Sequence, residues 1–147
     1  MANTLEQLLA VHACHALVLA SVDAVDRQDY AALAHLFTPD GVLVRPDGQP
    51  IAGPAAILAT YAARSPDRLT RHLVSNHRVQ VSLLAGSATS VCTILLWSGK
   101  HSDARTPRGR PADELQQIGE IEDQLVQTPE GWRIAQRNAS FSLFRPV

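Results

Sequence analysis

The stretch Arg71-His72-Leu73-Val74-Ser75-Asn76-His77-Arg78-Val79-Gln80-Val81-Ser82-Leu83-Leu84 decides how this chain is organised. Polar and apolar side chains alternate along most of it, the period of a strand with one face buried and the other wet. Upstream of Ser65-Pro66-Asp67 the period is helical; downstream it stays near two. Ala88 to Trp97, Leu115 to Val126 and Trp132 to Phe144 read as three further long strands, rich in Val, Ile and Leu. Ala85-Gly86-Ser87 and Pro129-Glu130-Gly131 separate them as tight turns, and the polar, Gly- and Pro-studded segment 98–112 as a long hairpin loop.

Thr4 to about Gln28 contains no Gly or Pro, and Leu8, Val11, His15, Val18, Val22 and Val25 recur at steps of three and four. That spacing predicts one long helix with this stripe buried. Asp29 is placed to cap a second helix, Tyr30 to Phe37, by accepting from its first-turn N–H groups. Thr38-Pro39-Asp40-Gly41 is a turn signal that ends it, before a short strand at Val42-Leu43-Val44. Pro46-Asp47-Gly48 turns the chain into Ile51, and Gly53-Pro54 opens a third helix to about Ala63, with Pro where its missing N–H costs nothing. Helices first and consecutive antiparallel strands after them make an α+β fold, and nothing between residues 1 and 147 reads as a linker or a second core.

Composition narrows the function classes. The 147 residues are 46% apolar and 18% charged, enough to build one packed core without metal or disulfide staples. A net charge of −1 lacks the basic excess of a nucleic-acid binder. The segment 100–110 carries Lys100, Arg105, Arg108 and Arg110 against Asp103, but no interleaved aromatics; it reads as a solvated loop, with a lid over a cavity as the alternative. No apolar run approaches the roughly 18 residues of a membrane span, and no signal peptide is evident, so the cytoplasm is the expected compartment. Cys14 and Cys92 sit far apart in apolar segments and are expected as reduced core thiols. There is no Gly-rich phosphate loop, no serine elbow and no zinc spacing, so no cofactor is expected.

Several short stretches resemble a known family. Asp26-Arg27-Gln28-Asp29-Tyr30, Leu36-Phe37-Thr38-Pro39-Asp40-Gly41 and Ile51-Ala52-Gly53-Pro54 are similar to the front half of the SnoaL-like group of the nuclear transport factor two-like superfamily. Thr70-Arg71-His72-Leu73-Val74-Ser75-Asn76 and Glu130-Gly131-Trp132-Arg133-Ile134-Ala135-Gln136-Arg137 are similar to its back half. The resemblance implies a strongly curved, mostly antiparallel sheet forming a cone, with helices closing over an internal apolar pocket. Its members include polyketide cyclases, dehydratases, dehydrochlorinases, isomerases, dioxygenase small subunits and pure ligand binders, so fold alone leaves function open.

Asp26 lies along the edge of the helical stripe, as either an exposed shoulder or a group aimed into a cavity. In scytalone dehydratase-like and dehydrochlorinase-like members an Asp here works with a His on the first long strand, and the resemblance carries these roles to Asp26 and His72. A neutral imidazole would take a proton from carbon while the carboxylate fixes its tautomer and stabilises the imidazolium. Strict alternation puts Asn76 on the face of His72, as a substrate contact, and turns His77 away, which disfavours a metal site built on the two histidines. His12 and His15 supply two potential ligands on one turn and no third, with His15 the better placed to face the cavity; no metal site is expected. Gly119, Ile121 and Asp123 share a strand face, and related cyclases place an acid there, so Asp123 is a secondary acid/base and substrate-contact candidate. Arg137 is read as structural and as a partner for one of these acids. Trp97 is expected in packing, or else in ligand stacking. The second strand histidine of scytalone dehydratase-like enzymes falls near Trp97 or Ser98, and the tyrosine before the helix Asp is Val25 here.

Two functions follow. One is a cofactor-independent lyase or isomerase acting on a small apolar or cyclic oxygenated substrate. The other is a non-catalytic ligand-binding module or dioxygenase-type small subunit, in which Asp26 and His72 do not meet or side chains fill the cavity. The uncovered sheet face is expected to be apolar and to form a homodimer or homotrimer.

Overall fold

The computed structural model describes residues 4–146. Three helices, α1 (Thr4–Asp26), α2 (Tyr30–His35) and α3 (Pro54–Ala62), are combined with six strands. These are β1 (Phe37–Val44), β2 (Pro50–Ala52), β3 (Arg68–Ser82), β4 (Ser87–Lys100), β5 (Gln116–Thr128) and β6 (Gly131–Arg145). They form one open sheet in the order β2-β1-β6-β5-β4-β3. Every neighbouring pair is antiparallel except β1 with β6.

The start of β1 corrects one expectation. Thr38-Pro39-Asp40-Gly41 lies inside the strand, as an irregularity between the pairs Phe37–Ile134 and Val42–Gln136. Asp29 caps α2 as its position implies, accepting from the Ala32 N–H at 3.0 Å. Pro54 stands at the first turn of α3.

The face that α1 buries is also rotated from the expected stripe. Ala10, Cys14, Leu17, Val18, Ser21, Val22 and Ala24 are buried, whereas Leu8 is exposed. Small residues at 10, 14, 21 and 24 let the helix approach the sheet closely, a gain in contact that outweighs the larger side chain at position 8. The cysteines are free and buried, and burial pushes both thiols up to about 11. Contrary to the sequence-based expectation, α1 is long and apolar enough to cross a membrane by length and composition. Its buried residues form part of the domain's core, while Leu5, Leu8, Leu9 and Leu19 are exposed.

Two core clusters result. One joins α1, α2 and α3 to β1, β2, β6 and the Ala88–Leu125 end of the β4–β5 ladder, around Leu33, Ile57, Leu125 and Ile134. The other places Val18 and Val22 of α1 against Cys92, Ile94 and Leu96 of β4. The second cluster borders the pocket described next.

Candidate active site

Asp26 is the last residue of α1, where the helix dipole is negative and no basic residue stands in the last turn. A carboxylate gains nothing for the helix at that position. Its stability comes instead from β3. One oxygen accepts from Thr70 Oγ1 at 2.8 Å and faces His72 Nδ1 at 2.5 Å; the other accepts from the His72 backbone N–H at 2.8 Å. Burial alone would push this carboxyl up, but the hydrogen bonds from His72, with those of Thr70, leave it below the ordinary carboxylate range. Gln28 locks the geometry by donating from its side-chain amide to the Pro66 and Arg68 carbonyls, at 3.2 and 2.7 Å.

Because the carboxylate is an acceptor, neutral His72 carries its proton on Nδ1. Nε2 is then a free lone pair, and His72 lines a pocket of about 730 Å³. The pocket draws on both α1 and α3 and on strands β1, β3, β4, β5 and β6, so the sheet curves around it. Val22, Val25, Leu43, Ile94, Leu96 and Phe141 supply apolar wall, while the rim is charged. The Phe141 ring reaches the wall over Gly119, where any Cβ would collide with the Ser140 carbonyl oxygen.

A second charged pair is buried at the wall. Arg137 Nε and Nη2 each donate to a separate oxygen of Asp123 at 2.7 Å, and Nη1 donates to Ser21 Oγ at 2.8 Å. Ser21 passes its own proton to the Val18 carbonyl at 2.6 Å. Burial works against the Arg137 charge, and Asp123 more than restores it. Arg137 lines the pocket; Asp123 does not, because both its oxygens are spent on the guanidinium. Glu120 and Glu122 are exposed, whereas Asp123, expected as an acid/base group and substrate contact, is buried against Arg137 and stays out of the pocket wall. Arg137 is a pocket residue, beyond the structural role its sequence context implies.

The sequence-derived faces of Asn76 and His77 are reversed. Asn76 has φ +50° and sits at a β-bulge between the pairs Ser75–Thr93 and Arg78–Val91. The extra residue shifts the alternation by one, turning Asn76 out to solvent and His77 inward. His77 Nδ1 then meets His15 Nδ1 at 2.8 Å, and its Nε2 meets Ser90 Oγ at 2.8 Å. His15, expected to face the cavity, meets His77 instead and does not line the pocket. Trp97 stands on the outer face opposite Arg71, exposed and away from the pocket. Among the described residues, no group of three or more His, Cys, Asp or Glu side chains is disposed to hold a metal ion.

The loop after β4 is tied down. Ser102 donates twice to Asp67 at 2.7 Å, and Arg110 Nε donates to the His101 and Asp103 carbonyls.

Comparison with known proteins agrees with this architecture. Residues 6–138 match the SnoaL-like domain family. Among solved structures, Rv3472, a protein of unknown function from Mycobacterium tuberculosis, superposes with TM-score 0.77 at 25% identity, over 97% of this chain and 77% of its own. A type 2 hexachlorocyclohexane dehydrochlorinase, LinA, gives 0.80 at 16% identity, over 99% and 93%. An NTF2-like protein with a cystatin-like fold from Novosphingobium aromaticivorans gives 0.74 at 20% identity, over 96% and 91%. No curated protein matches the chain.

Proposed function

The chain belongs to the SnoaL-like domain family, and we propose that it is a lyase or isomerase that needs no cofactor and acts on a small apolar or cyclic oxygenated molecule. The observation that carries this reading is the contact of Asp26 with His72 beside an open pocket. Nε2 of His72 takes a proton from a carbon next to an activating group. The electron pair left behind forms a double bond, either expelling a leaving group (elimination) or recapturing the proton at another carbon (isomerisation). Asp26 holds the neutral tautomer beforehand and stabilises the imidazolium afterwards. General base catalysis of this kind contributes about 10²–10⁴-fold. Arg137 has five N–H donors, three of them engaged by Asp123 and Ser21, and the remainder can meet charge that develops on the substrate.

The binding-module alternative expects the pair apart or the cavity filled; a 2.5 Å contact and a pocket of about 730 Å³ favour the enzyme. LinA, a dehydrochlorinase by name, shares the fold and supports elimination as one of the reaction types. The test is uptake of deuterium from D₂O, followed by mass spectrometry across a panel of cyclic ketones and hydroxylated or halogenated ring compounds. His72→Ala and Asp26→Asn should abolish it while remaining folded, and full exchange in both variants would sink the proposal.

We also infer that the outer sheet face joins copies of this chain as a homodimer or homotrimer. Leu73, Leu95, Ile118 and Leu143 are successive cross-strand partners on β3, β4, β5 and β6, forming one apolar row. Trp97 extends it beside Leu95, and three of the four row residues are exposed.

A further inference from the structure

The pocket rim carries charges that the proton-transfer chemistry does not use. Arg68 and Lys100 are direct cross-strand partners at the open end of the β3–β4 ladder. Like charges in that relation repel and destabilise the sheet. They stand on the inner face, in line with the pairs Thr70–Ser98 and His72–Leu96 below them. Arg64, at the end of α3, lays its guanidinium 4.0 Å from the centre of the Tyr61 ring. All three cations line the pocket, and none of them has a carboxylate oxygen within 4.0 Å among the described residues.

The rim also holds acids: Glu120 of β5 lies more than 4.0 Å from all three cations, and the other three have partners of their own. Asp67 accepts twice from Ser102, Asp113 accepts from Ser98 Oγ at 2.7 Å, and Asp47 accepts from the Gln49 N–H and lies 3.7 Å from Arg45. Hydrogen bonds from Ser102 hold the Asp67 carboxyl below its ordinary range, with a smaller contribution from the charge of Lys100. Arg68 and Lys100, paired like with like across the ladder and without a carboxylate in contact, form a costly arrangement that a bound anion relieves.

We propose that Arg64, Arg68 and Lys100 bind a carboxylate on the substrate, whose apolar body fills the pocket down to His72. The inference rests on reading the pocket as a small-molecule site. Four residue steps of extended strand lead from Arg68 to His72, about 13 Å of backbone. The substrate class is then an apolar ring or short ring system with an acidic group at the end remote from the carbon that loses its proton.

The test compares naphthalene-2-carboxylate with the uncharged naphthalene-2-carboxamide by titration calorimetry at low salt. The carboxylate should bind about ten-fold tighter in the wild-type protein, about the worth of one charge-assisted contact. That preference should fall to near parity in Arg68→Gln/Lys100→Gln and diminish in Arg64→Gln. The double variant should melt no lower than wild type, because it removes a repulsive pair. Inorganic phosphate should raise the melting temperature of wild type more than that of the double variant. Equal affinity for acid and amide, a preference unchanged in the double variant, or no binding of the carboxylate at about 10 mM each overturns the proposal. His72→Ala should keep the carboxylate preference. Lost exchange with the preference intact therefore indicts the rim in no way, and a lost preference with exchange intact leaves the base untouched.

Discussion

Replacing Asp26 by Asn tests the proposed mechanism at its hinge. The carboxylate meets three donors, namely Thr70 Oγ1, the His72 backbone N–H and His72 Nδ1. The backbone N–H cannot reverse, so the amide oxygen of the substituted side chain must take that contact, and its NH₂ turns to Thr70 and to the imidazole. A threonine hydroxyl can accept in place of donating, and His72 can accept at Nδ1 if its proton moves to Nε2. Folding is therefore nearly preserved, at a cost of about 1–2 kcal/mol for weaker, uncharged hydrogen bonds. Chemistry is not preserved, because the nitrogen that lines the pocket is now protonated and has no lone pair to give. The corresponding Asp→Asn change in serine protease triads lowers turnover about 10⁴-fold through the same tautomer error. We expect roughly 10³–10⁴-fold here, or about 4–5.5 kcal/mol of barrier. Long-range ¹H–¹⁵N spectra of the imidazole read the tautomer directly, without any substrate, and deuterium exchange reads the rate. An Nδ1–H tautomer in both proteins, or a rate loss with no tautomer change, would exclude Asp26 as the group that sets the tautomer.

Other perturbations separate stability from chemistry. Arg137→Leu leaves the fully buried Asp123 carboxylate without its partner, so urea denaturation should show a loss of about 3–5 kcal/mol. Much of that loss should return in Arg137→Leu/Asp123→Leu, where no charge is left behind. His77 is expected to give the protein an acid-sensitive limb. Burial and then the facing His15 lower its pKa, with Asp123 of β5 opposing and Arg137 of β6 adding to the shift. A histidine depressed in this way contributes stability that is complete above its unfolded value near 6.5 and is lost as the pH falls toward the folded value. Stability measured between about pH 8 and 5 should therefore fall less steeply in His77→Gln than in wild type; parallel curves would exclude the pair as the cause. Leu143→Asp puts a charge into the outer apolar row and should shift the protein toward monomer in light scattering at unchanged helix content.

The sheet is legible from alternation, and the Asp26–His72 pair from resemblance joined to helical position. What stays hidden follows from extra residues inside strands. Alternation assigns faces only while the ladder stays in register, and a bulge leaves the apolar pattern nearly intact. Asn76 carries a faint signal, since asparagine tolerates positive φ better than most residues. The buried face of α1 escapes the pattern for another reason. The sequence stripe runs through large residues, whereas close approach to the sheet selects small ones at Ala10, Cys14, Ser21 and Ala24. The pairing of Arg137 with an acid is anticipated in the sequence, but its inward turn is not, because its burial depends on an acid presented by the neighbouring strand.

The bulges also position functional side chains. On β6 the register slips at Ala135, between the pairs Leu125–Ile134 and Gln124–Gln136. With Ile134 inward, uninterrupted alternation would send residue 136 inward and Arg137 out to solvent; the slip brings Arg137 onto Asp123 and into the pocket wall. A second slip at Ser142 lets Phe141 stay over Gly119 inside while Leu143 turns outward to finish the apolar row beside Ile118. On β3 the Asn76 bulge turns His77 in to meet His15, which ties α1 to the same strand that holds Asp26 through His72. One helix is thus fastened to one strand at two histidines, with a register slip between them. The fold places the base and the buried guanidinium by where its strands break register as much as by where they keep it.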